Sequence, residues 1–298
     1  MAFQIHLHQD LQDEIQRLAQ RQRGKCVAEI QARRKSVQNV VHSVRKHIKR
    51  LRGLLRLVRQ AMPTQFRDED HWFRDQARTI AESRDAVVLL NTLGNLRKQL
   101  HGKLTDERLA DIRQGLQQLN FPQTSTDEQW QLLGHIAEKL KAAEQRVDAW
   151  SIDGDLQILF HGFLKQYRKA RRNMNAVRED RTTEGLHHWR KQVKYHASHC
   201  HLLERVAPRK LRQRIKASHD LGVLLGEDHD LAMLSQIVAE NPTLKLDDNT
   251  TKLLAAAIHQ KRQTLQKRSF KLGRKLFNST AAELAKRLFE RKTSTSSN

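Results

Sequence analysis

The sequence lacks long apolar runs and has little cysteine. It contains no stretch of 18 consecutive apolar residues, so it predicts no membrane-spanning helix. The segment MAFQIHLHQD at residues 1–10 lacks the basic start and apolar stretch of a secretory signal. The two cysteines, Cys26 and Cys200, are too few for a disulfide framework and are typical of a reducing compartment. We therefore expect a soluble, cytoplasmic protein.

Proline and alternating segments are also rare. Each of the four prolines falls between segments with helical periodicity, where proline is tolerated. No segment alternates apolar and polar residues for long enough to predict a strand. The pattern predicts an all-α fold with a disordered Ser/Thr tail at 293–298. The predicted helices lie near 8–34, 37–61, 65–93, 106–119, 127–149, 155–178, 183–206, 209–239, 249–277 and 279–291.

The charge of the chain is strongly of one sign. Its 298 residues include 55 Lys and Arg against 33 Asp and Glu, a formal net charge of +22 with His neutral. Such an excess favours a polyanionic partner. Aromatic residues make up only 5 %, whereas proteins that bind single-stranded nucleic acid stack bases on aromatic rings. A duplex binder does not need these rings, so nucleic acid remains an open alternative.

The sequence contains an internal repeat that relates its two halves. A shift of 145 residues aligns His42 with His187, Arg45 with Arg190, Lys46 with Lys191, Lys49 with Lys194 and Pro63 with Pro208. The aligned residues are mostly polar, unlike the Leu and Ala that recur by chance in helices. We interpret the repeat as a duplication that produces two tandem helical bundles, 1–150 and 151–292. A turn at residues 151–154 would join them.

Basic residues recur on one face of several predicted helices. At 100° per residue, most cations of segment 41–58 fall in one arc of about 100°, opposite its apolar side chains. Segments 186–205, 161–175 and 261–275 carry comparable basic clusters. Like charges one turn apart cost roughly a few tenths of a kcal/mol per pair, so helix stability does not explain these stripes. A phosphate chain running along them would turn the repulsion into attraction.

Several of these segments resemble the CHAD family, the conserved histidine α-helical domain. The similar segments are VHSVRKHIKRLR (41–52) and LHHWRKQVK (186–194) for the two histidine motifs, SRDAVVLL (83–90) and LGVLLGEDHDLAML (221–234) for the Asp-containing helices, and YRKARR (167–172) for the Tyr-Arg segment. The resemblance covers most of the chain in the expected order. It implies one CHAD domain over 1–298, in which two tandem antiparallel helical bundles are related by pseudo-twofold symmetry around a basic central channel.

The family resemblance also implies a function. Its members bind inorganic polyphosphate without catalysis, often in association with polyphosphate granules and their proteins. Some carry a fused triphosphatase domain, but its Glu-x-Glu-x-Lys motif does not occur here, and we expect no enzyme activity, cofactor or metal site. The residues predicted to bind polyphosphate are His42, Arg45, Lys46, Lys49, Arg50, Arg52, Arg56, Tyr167, Arg168, Arg171, Arg172, His187, Arg190, Lys191, Lys194, His201, Lys271 and Arg274.

The chain departs from the family pattern after Lys194. At 196–198, His-Ala-Ser stands where the motif continues with Leu-Arg-Tyr, so a cation is missing and we expect the two halves to bind unequally. His196 falls on the apolar side of its helix, which favours a core position.

The sequence also suggests roles for two histidines and two aspartates. His42 and His187 lie among cations, which predicts neutral imidazoles in the empty site; bound phosphate would raise their pKa values and tighten binding between about pH 8 and 6. A neutral hydrogen-bond donor is the alternative. Asp85 and Asp230 would repel an anion, so we expect them to hold an Arg or His in position.

Other functions remain open at this stage. A nucleic-acid-binding protein is the main alternative. A phosphohydrolase would need a nucleophile or metal-holding carboxylates, and the Asp-rich strings at 67–72 and 226–230 adjoin no Gly-rich loop. The histidines between 187 and 201 could suggest a metal, but His196 and His199 lack the adjacent Glu of a zinc motif. A basic face that serves only solubility is the remaining alternative.

Overall fold

The computed structural model describes residues 3–6, 8–80, 85–102, 104–119, 125–241, 244 and 246–289. Within these ranges the chain forms eleven α-helices and no β-strand, which confirms the predicted all-α fold. The predicted tail at 293–298 lies outside the described residues. The helices are α1 Leu11–Ala32, α2 Val37–Val58, α3 Phe66–Thr79, α4 Asp85–Leu100, α5 Asp106–Gln118, α6 Thr126–Asp148, α7 Gln157–Ala176, α8 Thr183–Leu202, α9 Pro208–Glu240, α10 Asp248–Phe277 and α11 Ala281–Phe289.

Several helices begin at a side chain that caps their first turn. At the start of α6, the Ser125 hydroxyl accepts a hydrogen bond from the Glu128 N–H, and the Glu128 carboxylate accepts one from the Ser125 N–H. The Thr182 hydroxyl accepts a hydrogen bond from the Gly185 N–H at the start of α8. Pro208 lies in the first turn of α9, where its missing N–H needs no helical partner.

One predicted helix, 65–93, is two helices in the structure. α3 ends at Thr79 and α4 begins at Asp85, so the prediction of a single helix was wrong. The carbonyl oxygen of Ile80, just past the end of α3, accepts a hydrogen bond from Arg45 Nη1 of α2 at 3.4 Å. A side chain from another helix thus satisfies a carbonyl that has lost its helical partner. In the second half, the equivalent positions lie within the single helix α9.

The apolar side chains form two buried clusters. The larger cluster combines helices from both halves of the chain, including Leu51 of α2, Phe163 of α7 and Val193 of α8. In the smaller cluster, Leu96 of α4 packs with Leu234 of α9 and their neighbours on α5 and α10. The core therefore does not divide at residue 150, and the boundary between two bundles stays a prediction. The described helices are too polar or too short to serve as membrane spans.

Helices α2 and α8 cross at a close contact. A Cβ atom on Gly53 would overlap the Ser198 hydroxyl and lie 3.1 Å from the Ser198 Cβ. The buried His199 Nε2 donates a hydrogen bond to the Gly53 carbonyl at 3.1 Å. Positions 53 and 198 differ by the 145 residues of the repeat, so equivalent residues touch, as residues beside a twofold axis do. The pseudo-twofold symmetry of the whole domain stays a prediction.

Candidate functional site

A cleft of about 720 Å³ lies between α2 and α8, and we call it the α2–α8 cleft. Its lining side chains come from both helices, from the segment that precedes α1 and from the turn that follows α8. They are Phe3, Gln4, His42, Arg45, Lys46, Lys49, Arg50, Arg52, Lys191, Lys194, Tyr195, Ala197, Ser198, His201 and Glu204. The crossing at Gly53 and Ser198 explains this arrangement, because it holds the two basic stripes side by side.

The charge of the α2–α8 cleft is strongly positive. Seven of its lining residues are Lys or Arg, and among the described lining residues Glu204 is the one carboxylate. Glu204 is itself held by Arg212, whose Nε lies 2.7 Å from its Oε1, and by a hydrogen bond from the Gln4 amide. These contacts lower the pKa of Glu204, with the Arg212 hydrogen bond as the main cause, so the carboxylate stays ionised but paired.

A buried carboxylate positions two arginines at one end of the cleft. Asp70 of α3 accepts hydrogen bonds from Arg52 Nε at 3.0 Å and Nη2 at 3.2 Å. It also accepts one from Arg56 Nη2 at 2.5 Å. The Arg56 guanidinium in turn lies over the Tyr195 ring, 4.3 Å from its centroid. Asp70 is only 5 % exposed, so it orients these cations without facing a ligand.

The cationic surroundings shift the pKa values of groups in the cleft. Burial lowers the pKa of Lys191, and the charges of Arg56 and Arg52 lower it further. Burial also lowers the pKa of His201; the charge of Arg50 adds to this, while Glu204 opposes it. A positive charge on either group is therefore unfavourable in the cleft, and a bound anion would stabilise it.

The structure brings together half of the predicted binding residues. Those that line the α2–α8 cleft are His42, Arg45, Lys46, Lys49, Arg50, Arg52, Lys191, Lys194 and His201. Arg56 adjoins the cleft through its contact with Tyr195. Six of the fifteen lining residues belong to the pairs that the repeat aligned, namely His42, Arg45, Lys46, Lys49, Lys191 and Lys194.

His187 and Arg190 belong to the second stripe but lie outside this lining. The His187 ring lies 4.5 Å from the His229 ring of α9. The pKa of His187 is lowered to about 4, first by burial and then by His229 and Arg190, so the imidazole is neutral near pH 7. A Cβ atom on Gly226 would lie 3.1 Å from Arg190 Nη2, which places that guanidinium against α9.

Tyr167 does not reach the cleft. Its side chain is fully buried, and its hydroxyl donates a hydrogen bond to the Ser279 carbonyl at 2.7 Å. The predicted binding role of Tyr167 is therefore corrected to a structural one, because the ring packs beside Phe277 in the core. Its neighbours Arg168, Arg171 and Arg172 on α7 are at least partly exposed but do not line the cleft.

Lys271 and Arg274 lie on a different surface. Lys271 lines a second cleft of about 540 Å³ between α9 and α10, together with Arg268, Lys275 and Glu227. Arg274 is exposed on the same helix. These two predicted binding residues therefore do not line the α2–α8 cleft, to which α10 contributes no lining side chain.

Two carboxylates that the sequence analysis did not single out hold arginines. Asp70 holds Arg52 and Arg56 as described above, and the buried Asp228 of α9 accepts a hydrogen bond from Arg262 Nε at 3.1 Å. The charge of Asp230, two residues further along α9, acts on His229, and a role for Asp230 in holding this histidine stays a prediction. The side chain of Asp85 lies outside the described residues.

The remaining histidines of α8 are core residues. His196 is fully buried, as predicted, and its Nε2 accepts a hydrogen bond from Arg214 at 3.2 Å. Burial lowers the pKa of His199 to about 3 and raises the pKa of the Cys200 thiol to about 12, so both are uncharged at neutral pH. In the part of the chain that the structure describes, no three His, Cys, Asp or Glu side chains are grouped as a metal would need.

Tyr195 and the segment before α1 were not predicted as parts of the site. The repeat aligns Tyr195 with Arg50, and this alignment was the available signal for its position. Phe3 and Gln4 reach the cleft because the Ile5 N–H donates a hydrogen bond to the Leu202 carbonyl at 2.9 Å. A contact across nearly 200 residues leaves no local pattern in the sequence.

Comparisons with known proteins identify the fold and the family. PptA from Streptomyces chartreusis has a similar structure, with a TM-score of 0.60 and 15 % sequence identity over 91 % of this chain and 99 % of that one. At this identity the similarity concerns the fold alone. No curated protein matches the chain. The model of the CHAD domain matches residues 16–239, which include both histidine stripes and the whole α2–α8 cleft lining from His42 to Glu204. The chain belongs to the CHAD family.

Proposed function

We propose that this protein binds inorganic polyphosphate in the α2–α8 cleft and does not hydrolyse it. The observation that carries this proposal is the meeting of two repeat-related helices, which line one cleft with seven Lys and Arg side chains. Family membership supports it, because the resemblance noted in the sequence implies polyphosphate as the ligand. Association with polyphosphate granules would follow from such binding.

The chemistry of the cleft suits a linear phosphate chain. Polyphosphate offers closely spaced anionic oxygens and no base edges to read. Arg52 and Arg56, which Asp70 orients, can donate paired hydrogen bonds to such oxygens. The lysines, such as Lys49 and Lys194, act as mobile point charges that tolerate a variable register of the chain.

The aromatic rings of the cleft are poorly placed for nucleic acid. Base stacking needs an accessible ring face. The Arg56 guanidinium already lies 4.3 Å from the Tyr195 centroid, and that of Arg50 lies 6.0 Å from the Phe3 centroid. The two rings therefore pack against arginine side chains, and this arrangement favours a ligand of phosphate groups over one that stacks its bases.

The carboxylates of the cleft also favour binding over hydrolysis. A phosphohydrolase would need carboxylates that hold a metal ion or activate water. Among the described residues, Glu204 of the lining is paired with Arg212, and Asp70 behind it is occupied by two arginines. We therefore expect no release of orthophosphate from bound polyphosphate.

A competition experiment tests the proposal. Labelled long-chain polyphosphate bound to the full chain is challenged by DNA, RNA and tripolyphosphate at one salt concentration, because all polyanion complexes weaken with salt. Long-chain polyphosphate should resist DNA and RNA of equal charge. Changing two repeat-related lysine pairs to Ala, at positions 46, 49, 191 and 194, should weaken binding about a hundredfold.

A matched control removes four exposed lysines from helices outside the cleft, at positions 139, 141, 252 and 286. This variant has the same net charge as the cleft variant but should lose little affinity. Equal losses in the two variants, or easy displacement of polyphosphate by nucleic acid, would contradict a dedicated site. Orthophosphate release by the purified protein would contradict the non-catalytic role.

A further inference from the structure

A second group of cations lies on α7 beside the C-terminal end of α2. Gly162 of α7 packs closely on α2, because a Cβ atom there would overlap the Leu57 carbonyl oxygen. At 100° per residue, Lys165, Lys169 and Arg172 lie within about 80° of Gly162 around α7. The three side chains therefore border the face of α7 that contacts α2.

These α7 cations are close to charges of the same sign. Burial lowers the pKa of Lys169, and the four charges that lower it further are those of Arg59, Arg56, Lys165 and Arg172. A half-buried ammonium among four cations is an unfavourable arrangement for an empty surface. An anionic ligand at this place would remove the repulsion.

The α7 cations continue the α2–α8 cleft. Arg56 lies over Tyr195, which lines the cleft, and its charge acts on Lys191 inside the cleft as well as on Lys169 outside it. Asp70 holds Arg56 at this junction. Arg56 therefore connects the cations of the cleft with those of α7.

The opposite end of the cleft lacks this extension. The repeat aligns Lys165, Lys169, Arg172 and Arg59 with Gln20, Gly24, Val27 and Glu204. None of these four counterparts is a cation, and one is a carboxylate. Lys25 of α1 lies near Arg21 and Arg50 at that end, where the carboxylates of Glu29 and Glu204 offset part of the positive charge. The positions that carry the α7 extension thus hold cations in one half of the repeat and not in the other.

We propose that Arg59, Lys165, Lys169 and Arg172 form an outer subsite that binds the part of a polyphosphate chain leaving the α2–α8 cleft past Arg56. This inference rests on the proposed function. The chain leaves the cleft in one direction, so polyphosphates longer than the cleft gain affinity at this end and not at the Glu204 end. The outer subsite makes the protein selective for long chains.

The test compares the affinities of the full chain and of the variant Lys165→Ala/Lys169→Ala/Arg172→Ala for tripolyphosphate and long-chain polyphosphate. The variant should bind long chains about tenfold more weakly and tripolyphosphate within about twofold of the unaltered chain. The slope of log affinity against log salt for long chains should fall by about two to three. The single variant Lys169→Gln should lose less affinity for long-chain polyphosphate than the triple variant. Because it is a milder change, it keeps the test valid if the triple variant folds poorly.

The control variant Lys139→Ala/Lys141→Ala/Lys252→Ala removes the same charge from exposed positions on other helices. It should leave the ratio of long-chain to tripolyphosphate affinity unchanged. Equal losses for both ligands in the α7 variant, or no loss for long chains, would overturn the outer subsite. If the unaltered chain bound neither tripolyphosphate nor long-chain polyphosphate, the proposed function itself would fail. The experiment therefore distinguishes failure of the proposed function from failure of the outer subsite.

Discussion

Gly53 of α2 lies directly against Ser198 of α8, its counterpart in the repeat. The absence of a side chain at position 53 lets the two helix backbones approach, and the His199 imidazole donates to the carbonyl at the same point. The width of the α2–α8 cleft depends on this crossing, because the residues that line it flank the contact on both helices.

Replacing Gly53 with Ala should therefore destabilise the protein. The added methyl group would overlap the Ser198 hydroxyl, and overpacking of this kind costs about 1–3 kcal/mol. The free energy of unfolding from urea titration measures the loss. In a Ser198→Gly background the same change should cost less than about 0.5 kcal/mol, because the obstructing side chain is gone. Gly24→Ala on α1, where the space is open, should instead stabilise the protein.

Replacing Asp70 with Asn should lower the free energy of unfolding, because Asp70 is the counter-charge of two arginines. The substitution leaves Arg52 and Arg56 without their buried counter-charge, and breaking such a pair costs about 3–5 kcal/mol. Because both arginines border the cleft, we expect the low end of this range in the free energy of unfolding. Asp75→Asn on the same helix removes an exposed pair with Arg74 and should lower the free energy of unfolding much less. Similar losses in both variants would contradict the role given to Asp70.

The buried histidine at the helix crossing should make stability depend on pH. The pKa of His199 is lowered to about 3 in the folded protein, against about 6.5 in an unfolded chain. Its contribution is fully present above about pH 6.5 and is lost as the pH falls towards 3, because the unfolded state takes up the proton first. From these pKa values the loss at pH 5 is about 2 kcal/mol relative to pH 7. Urea unfolding of His199→Gln at both pH values should show a smaller difference than the unaltered chain.

Polyphosphate binding should also depend on pH, through His201. The pKa of His201 is lowered in the cleft, chiefly by burial, and an adjacent phosphate would raise it. Binding then takes up a proton, so affinity should rise as the pH falls from 8 to 6. His201→Gln should flatten this dependence, whereas the exposed His135→Gln on α6 should keep it. Identical pH profiles for the two variants would exclude His201 as the titrating group.

Helical periodicity predicted most of the fold, because nearly every helix buries one regular apolar face. The exception is the break between α3 and α4. Neither proline nor glycine lies between Thr79 and Asp85, and apolar residues continue on both sides, so the local pattern reads as one helix. The contact between Arg45 and the Ile80 carbonyl connects residues that lie far apart in sequence, and local spacing does not reveal it.

The repeat was the strongest sequence signal for the site. It aligned the stripes of α2 and α8, and these helices supply most of the cleft lining. The periodicity of one helix does not show which neighbour covers it, and for this reason Tyr167 was placed at the surface although the Ser279 carbonyl covers its hydroxyl. The role of Asp70 was missed for a related reason, because it acts from α3 on arginines of α2.

The second apolar cluster has a consequence for synthesis of the chain. Leu93 and Leu96 of α4 are buried against partners on α9 and α10, among them Leu234 and Leu254. A ribosome completes α4 and α5 well before it reaches these partners, so the apolar faces of both helices stay in contact with water for the synthesis of more than 100 further residues. A nascent chain that stalls in this interval presents unburied leucines on two helices to other chains or to chaperones.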